Sequence, residues 1–141
     1  MRFHWLKLRA TCHATEEPER VRHAMQFLSG LDLQAFEGVT EATRIDSHHG
    51  GEVWSFETTL SRAGDIRRAL APLRAATPGL AGELEARTDD DGVLYLRFDK
   101  QEAVLGRVLA TRGEGVQVRL KPEVHPAGRE RVVAALAAWL G

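Results

Sequence analysis

A chain of 141 residues with 43% apolar and 28% charged positions can bury a core, which excludes an intrinsically disordered segment. A formal net charge of -1 excludes binding to nucleic acid through bulk positive charge, and a lone cysteine excludes an internal disulfide. Among the 19 basic residues only Lys7, Lys100 and Lys121 are lysines, so the cations are mainly arginine forks suited to phosphate and to stacking on bases.

Charges interrupt the apolar positions from Met1 to Arg9, so neither a signal-peptide core nor a membrane span is expected there and the protein is expected to be cytoplasmic. Leu6, Leu8, Ala10, Cys12 and Ala14 alternate with Lys7, Arg9, Thr11 and His13, the period of a strand with one covered face. Phe3 and Trp5 extend its polar phase, and Cys12 is expected to be a buried reduced thiol. Thr15 is placed to cap a helix that begins with Glu16, Glu17 and Pro18 and buries Val21, Ala24, Met25 and Leu28 before Gly30 ends it. A weaker strand is expected at about Val39 to Ile45, followed by the loop Asp46–Gly51 and a strand carrying Trp54, Phe56 and Leu60 inward.

Ser61 can cap the next helix, whose stripe of Ile66, Leu70 and Leu73 runs until Pro78-Gly79. Arg62, Arg67, Arg68 and Arg74 oppose only Asp65 there, which makes the exposed side basic. Leu84, Ala86 and Thr88 alternate with Glu83, Glu85 and Arg87, which predicts a strand paired through Asp89–Gly92 with Val93 to Phe98. Asp99 with Glu102 three residues on predicts a short capped helix closed by Gly106. Arg107 to Ala110 and Val116 to Lys121 read as two last strands turning at Arg112–Gly115, and a helix after Pro126 buries Val132, Val133, Leu136 and Leu140. Without repeat or linker, the chain reads as a single α+β domain over residues 1–141, two-layered, with a largely antiparallel sheet and helices on one face.

The outward phases of the first strand, the hairpin return and the last strand hold Lys7, Arg9 and His13, then Arg97, then Arg119 and Lys121, with no acid among them. Tyr95 shares a phase with Arg97 and is the best candidate for stacking on a base. The stretch from Tyr95 to Gly106, read with His48-His49-Gly50, resembles the signature of an archaeal family of small proteins described as predicted exosome-associated, RNA-binding subunits. In that family a run close to R-F-D-K-Q-E-A-x-x-G follows a hairpin. The match departs at Gly51, where the family usually has Asn. The resemblance implies a fold like that of a large-subunit ribosomal protein that binds ribosomal RNA, and a role in RNA processing or ribosome-related assembly.

The expected RNA surface therefore comprises Lys7, Arg9, Arg97, Lys100, Arg119 and Lys121, extended by Arg67, Arg68 and Arg74, with Tyr95 for stacking. His48 and His49 lie in a glycine-bearing loop that suits backbone approach to phosphate or a plain turn. Their adjacency does not fit a metal pair, Asp89–Asp91 reads as turn chemistry, and no nucleophile–base pair, phosphate loop or dinucleotide fingerprint occurs. A non-catalytic protein without cofactor or metal is expected, with RNA as partner. The alternative is a protein-interaction or homodimer module using a sheet edge or the Trp139-bearing helix.

Overall fold

The computed structural model describes residues 1–45 and 51–141, so the loop containing His48 and His49 lies outside the described residues. Five strands form one antiparallel sheet in the order β2-β3-β1-β5-β4, where β1 is Phe3–Cys12, β2 Thr40–Ile45, β3 Val53–Leu60, β4 Leu94–Phe98 and β5 Val116–Pro122. Because partners across an antiparallel ladder point the same way, the register decides which residues meet. Leu6 lies between Leu60 and Leu120, and Leu8 between Thr58 and Val118. Leu94, Leu96 and Phe98 continue this apolar face opposite Leu120, Val118 and Val116. Thr58 is the polar exception, fully buried, and its hydroxyl is satisfied by that of Thr40 at 2.8 Å.

Helices α1 (Pro18–Ser29), α2 (Leu33–Gly38), α3 (Ala63–Ala75), α4 (Leu84–Arg87), α5 (Lys100–Val104) and α6 (Arg129–Leu140) cover the apolar face, giving the expected two-layer α+β architecture. The anticipated stripes are buried: Val21, Ala24, Met25 and Leu28 of α1, Ile66, Leu70 and Leu73 of α3, and Val132 and Leu136 of α6. Each of these side chains other than Ala24 contributes roughly 1.5–3 kcal/mol when withdrawn from water. Asp99 caps α5 as its position predicts, accepting from the Glu102 N–H at 2.8 Å. No helix among the described residues is long and apolar enough to cross a membrane.

Several local expectations are overturned. Of the strand expected over residues 83–88 only the antiparallel bridge from Thr88 to Leu94 forms: Leu80–Glu83 is a 3-10 turn that runs into α4, where the Arg87 Nε donates to Glu83 Oε2 at 2.6 Å. Leu80 and Leu84 are both buried, so the four-residue spacing that suits a helix outweighs the two-residue alternation. Residues 107–110 make only an isolated bridge from Ala110 to Phe98, and Leu109 stays exposed. Glu17 and Arg62, rather than Thr15 and Ser61, are the cap residues of α1 and α3, neither with a side-chain cap bond. The unanticipated α2 is capped by Asp32, whose carboxylate accepts from the Ala35 N–H at 2.8 Å, and it buries Phe36. Finally, the ladder slips between Phe3 and Trp5, which turns Phe3 off the polar phase and onto Trp139, with ring centroids 5.4 Å apart.

The turn before β5 is fixed by close backbone approach, since a Cβ at Gly115 would overlap the Phe98 carbonyl oxygen. Gly115→Ala is expected to destabilise the protein by about 1–3 kcal/mol. Gly38→Ala, where a Cβ meets nothing within 4 Å at the end of α2, should be neutral or gain up to about 1 kcal/mol. Urea unfolding of both variants checks this pair, and equal midpoints would contradict the assigned turn geometry.

Candidate nucleic-acid interface

The strand alternation that buries Leu6 and Leu8 turns Lys7 and Arg9 to the side of the sheet that carries no helix. The register then aligns outward residues in rows across the sheet. One row runs Glu41, Glu57, Arg9, Gln117 and Arg97, and its neighbour runs Thr59, Lys7, Arg119 and Tyr95. Adjacent strands β1, β5 and β4 thus bring together the cations that the sequence distributes over more than 100 positions, while the acids sit on β3 and β2. The open face has a cationic side and an acidic margin.

Glu57 is the acid at the boundary. Its Oε1 lies 3.3 Å from the Arg119 Nη2 and 3.9 Å from the Lys7 Nζ, so one carboxylate is shared between two cations. The Arg119 Nε is buried and has no acceptor among the described residues. Lys7 also lies over the Trp5 ring, 4.6 Å from its centroid. Arg9 donates to the Ser55 hydroxyl at 3.3 Å, and among the described residues neither Arg9 nor Arg97 has a carboxylate at ion-pairing distance. Tyr95 is half-buried and donates its hydroxyl to Asp89 Oδ2 at 3.0 Å. Burial first, then this bond, holds the Tyr95 phenol above its ordinary pKa, so it stays a neutral donor with a fixed ring.

Four of the expected basic residues are engaged elsewhere. Lys100, with only 11% of its side chain exposed, sits at the start of α5, donates to both Glu16 oxygens at 3.0 Å and to the Thr11 carbonyl at 2.8 Å, and lies 3.7 Å from Glu114. Lys121 folds onto the Asp91 carbonyl in the turn before β4. Arg74 donates to the Trp139 and Leu140 carbonyls at 3.1 and 3.3 Å and stacks on the Trp139 ring, tying α3 to the end of α6. Arg68 is 3.5 Å from Asp65. Arg67 and Arg68 are exposed, but α3 is in the helical layer on the other side of the sheet.

Two contributors were missed from sequence. Arg112, 90% exposed at the tip of the turn before β5, stands beside Arg9 and Arg97, and its nearest acid is Glu83 at 3.6 Å. Its signal in the sequence is an arginine next to a glycine in a turn. Glu57 was legible as an outward residue of β3, yet only strand order shows that it borders the cations. Behind Arg112, Glu114 is bound by His13, and that hydrogen bond is the main reason its carboxyl titrates below the ordinary range. His13, Glu16 and Glu114 could together offer ligand atoms to a cation, but the Lys100 ammonium already neutralises both acids. Cys12 is buried, and burial followed by Glu16 raises its thiol pKa, which suits an inert core group.

Removing the Lys100 ammonium would leave Glu16 without its cation in a largely enclosed position. Lys100→Met is expected to cost about 1–3 kcal/mol of stability while changing RNA affinity less than twofold. Chemical unfolding and RNA titration of that variant decide the matter: lost affinity at unchanged stability would return Lys100 to the binding surface.

The chain is similar to the RNA-binding protein PAB1135 of Pyrococcus abyssi, 32% identical over 97% of this chain and 93% of the relative. Two solved structures share its architecture. Mth689, a DUF54 protein from Methanothermobacter thermautotrophicus, superposes with a TM-score of 0.82 at 26% identity, covering 99% of this chain and 98% of that one. AF2318 from Archaeglobus fulgidus, also assigned to DUF54, gives 0.83 at 27% identity over 99% and 100%. Residues 5–122, which hold β2 to β5, β1 from Trp5 onward and the open face, match a family whose description is RNA binding, and the chain belongs to that RNA-binding family.

Proposed function

We propose that this chain is a non-catalytic RNA-binding protein that holds structured RNA against the open sheet face through Lys7, Arg9, Arg97 and Arg119. The observation that carries the reading is the adjacency of β1, β5 and β4, which concentrates these cations although the total charge is near zero. Charge-assisted bonds from guanidinium forks to phosphate and ribose would position the RNA, with limited sequence selectivity. Membership of an RNA-binding family supports the ligand. The resemblance of the Arg97–Gly106 stretch to exosome-associated subunits supports a cytoplasmic role in RNA processing or ribosome-related assembly, alongside protein partners. No cofactor is needed for such a role. The binding unit is a single domain, with Lys121 at its margin and with His48 and His49 as further contributors from the chain segment between Ile45 and Gly51.

A homodimer or protein-interaction role has one observation in its favour: β2 is an edge strand that is exposed from Glu41 to Ile45. Sedimentation with and without nuclease separates the two readings, since a dimer that carries no RNA supports the second.

Each phosphate contact releases counterions and so contributes to the salt dependence of binding. The Arg9→Gln, Arg97→Gln double variant is expected to bind a structured RNA at least about tenfold more weakly, with a slope of log affinity against log salt shallower by about two. Fluorescence anisotropy over a salt series measures both. Affinity and slope equal to those of the parent protein would remove the open face from RNA recognition.

A further inference from the structure

Two clefts flank Arg97 on the open face and share Arg97 and Arg112 as their common wall. The first, about 390 Å³, is lined by Arg9, Thr11, Gln117 and the Gly113–Gly115 backbone. The second, about 490 Å³, is lined by Tyr95, Arg87, Asp89 and Thr111. Their electrostatics differ. Among the described residues Glu114 is the single acid lining the first, and it is already held by His13 and Lys100; Arg9 and Arg97 have no carboxylate partner there, and Arg112 has only Glu83 of the neighbouring cleft, at 3.6 Å. In the second, the acids are engaged internally: Glu83 accepts from Arg87 at 2.6 Å, and Asp89 accepts from the Asp91 N–H, the Val93 N–H and the Tyr95 hydroxyl at 3.0, 2.9 and 3.0 Å, while the buried Thr88 hydroxyl has no partner among the described residues.

An anion is therefore favoured on one side of Arg97 and a flat uncharged ring on the other. A phosphate and the base attached to it have that pair of properties. We propose that this double cleft takes one unpaired RNA nucleotide, with its phosphate among Arg9, Arg97 and Arg112 and its base against the Tyr95 ring. The inference rests on the RNA-binding reading above and deepens it from phosphate tracking to recognition of an unstacked position. A-form duplex keeps its bases inside a groove that side chains enter poorly, whereas a bulged base is free to leave the helix and stack. Tyr95, its ring held by Asp89, and the planar Arg97 and Arg112 supply surfaces that accept any base.

The test uses the full chain and three RNAs of one sequence: a perfect duplex, the duplex with one unpaired adenosine, and that bulge with its base removed. Anisotropy titration is expected to show about tenfold tighter binding to the adenosine bulge than to either other RNA, the scale of one stacked base. In Arg112→Ala the preference should fall to twofold or less. Arg112 is 90% exposed, so circular dichroism should show an unchanged fold. Equal affinity of the parent protein for all three RNAs would overturn the nucleotide site while leaving RNA binding intact. So would a preference that survives in Arg112→Ala. Failure to bind any of the three would overturn the RNA reading and the site together.

Discussion

Strand β1 is the constraint on which the rest depends. It is hydrogen-bonded along both sides, to β3 and β5, and its residues from Trp5 to Cys12 alternate so strictly that one set is buried while the other faces outward. A shift of one residue in that ladder would bury Lys7 and Arg9 and expose Leu6 and Leu8, at a cost no surface charge could offset. The hydrophobic effect thus fixes the cationic rows as firmly as it fixes the core. The open face is a consequence of how the covered face packs.

That coupling explains how a chain of nearly balanced charge can present a positive area. Its acids are used locally: Glu83 holds Arg87, Glu16 holds Lys100, Asp32 and Asp99 cap helices, and Asp89 organises a turn. Among the described residues only Glu57 lies among the outward cations of the central strands, and one carboxylate shared by two partners leaves the zone positive. At moderate salt, exposed charges farther apart than about 8–10 Å are screened, so this local balance matters more to an approaching phosphate than the total.

The alternation of β1, β3 and β5, the stripes of α1 and α3 and the Asp99 cap were legible in the residues because each depends on neighbours within one element. Residues 84–88 were misread because Leu84, Ala86 and Thr88 fit a period of two as well as Leu80 and Leu84 fit a helical turn, and only burial of both leucines decides. Lys100 and Arg97 looked equivalent three positions apart. The first points back beneath the end of β1 to Glu16 and the second outward, a distinction set by contacts across 84 positions. Arg112 escaped notice because a loop residue has no periodicity, and its value comes from the register that sets it beside Arg9.

The central claim is that RNA lies on the open sheet face and nowhere on the helical layer. Ultraviolet crosslinking of the full chain to bound RNA, followed by mass spectrometric identification of the modified peptides, tests it directly. Adducts should concentrate in residues 5–11, 95–97 and 112–119. Adducts confined to α3 at Arg67 and Arg68, or to α6, would contradict the account.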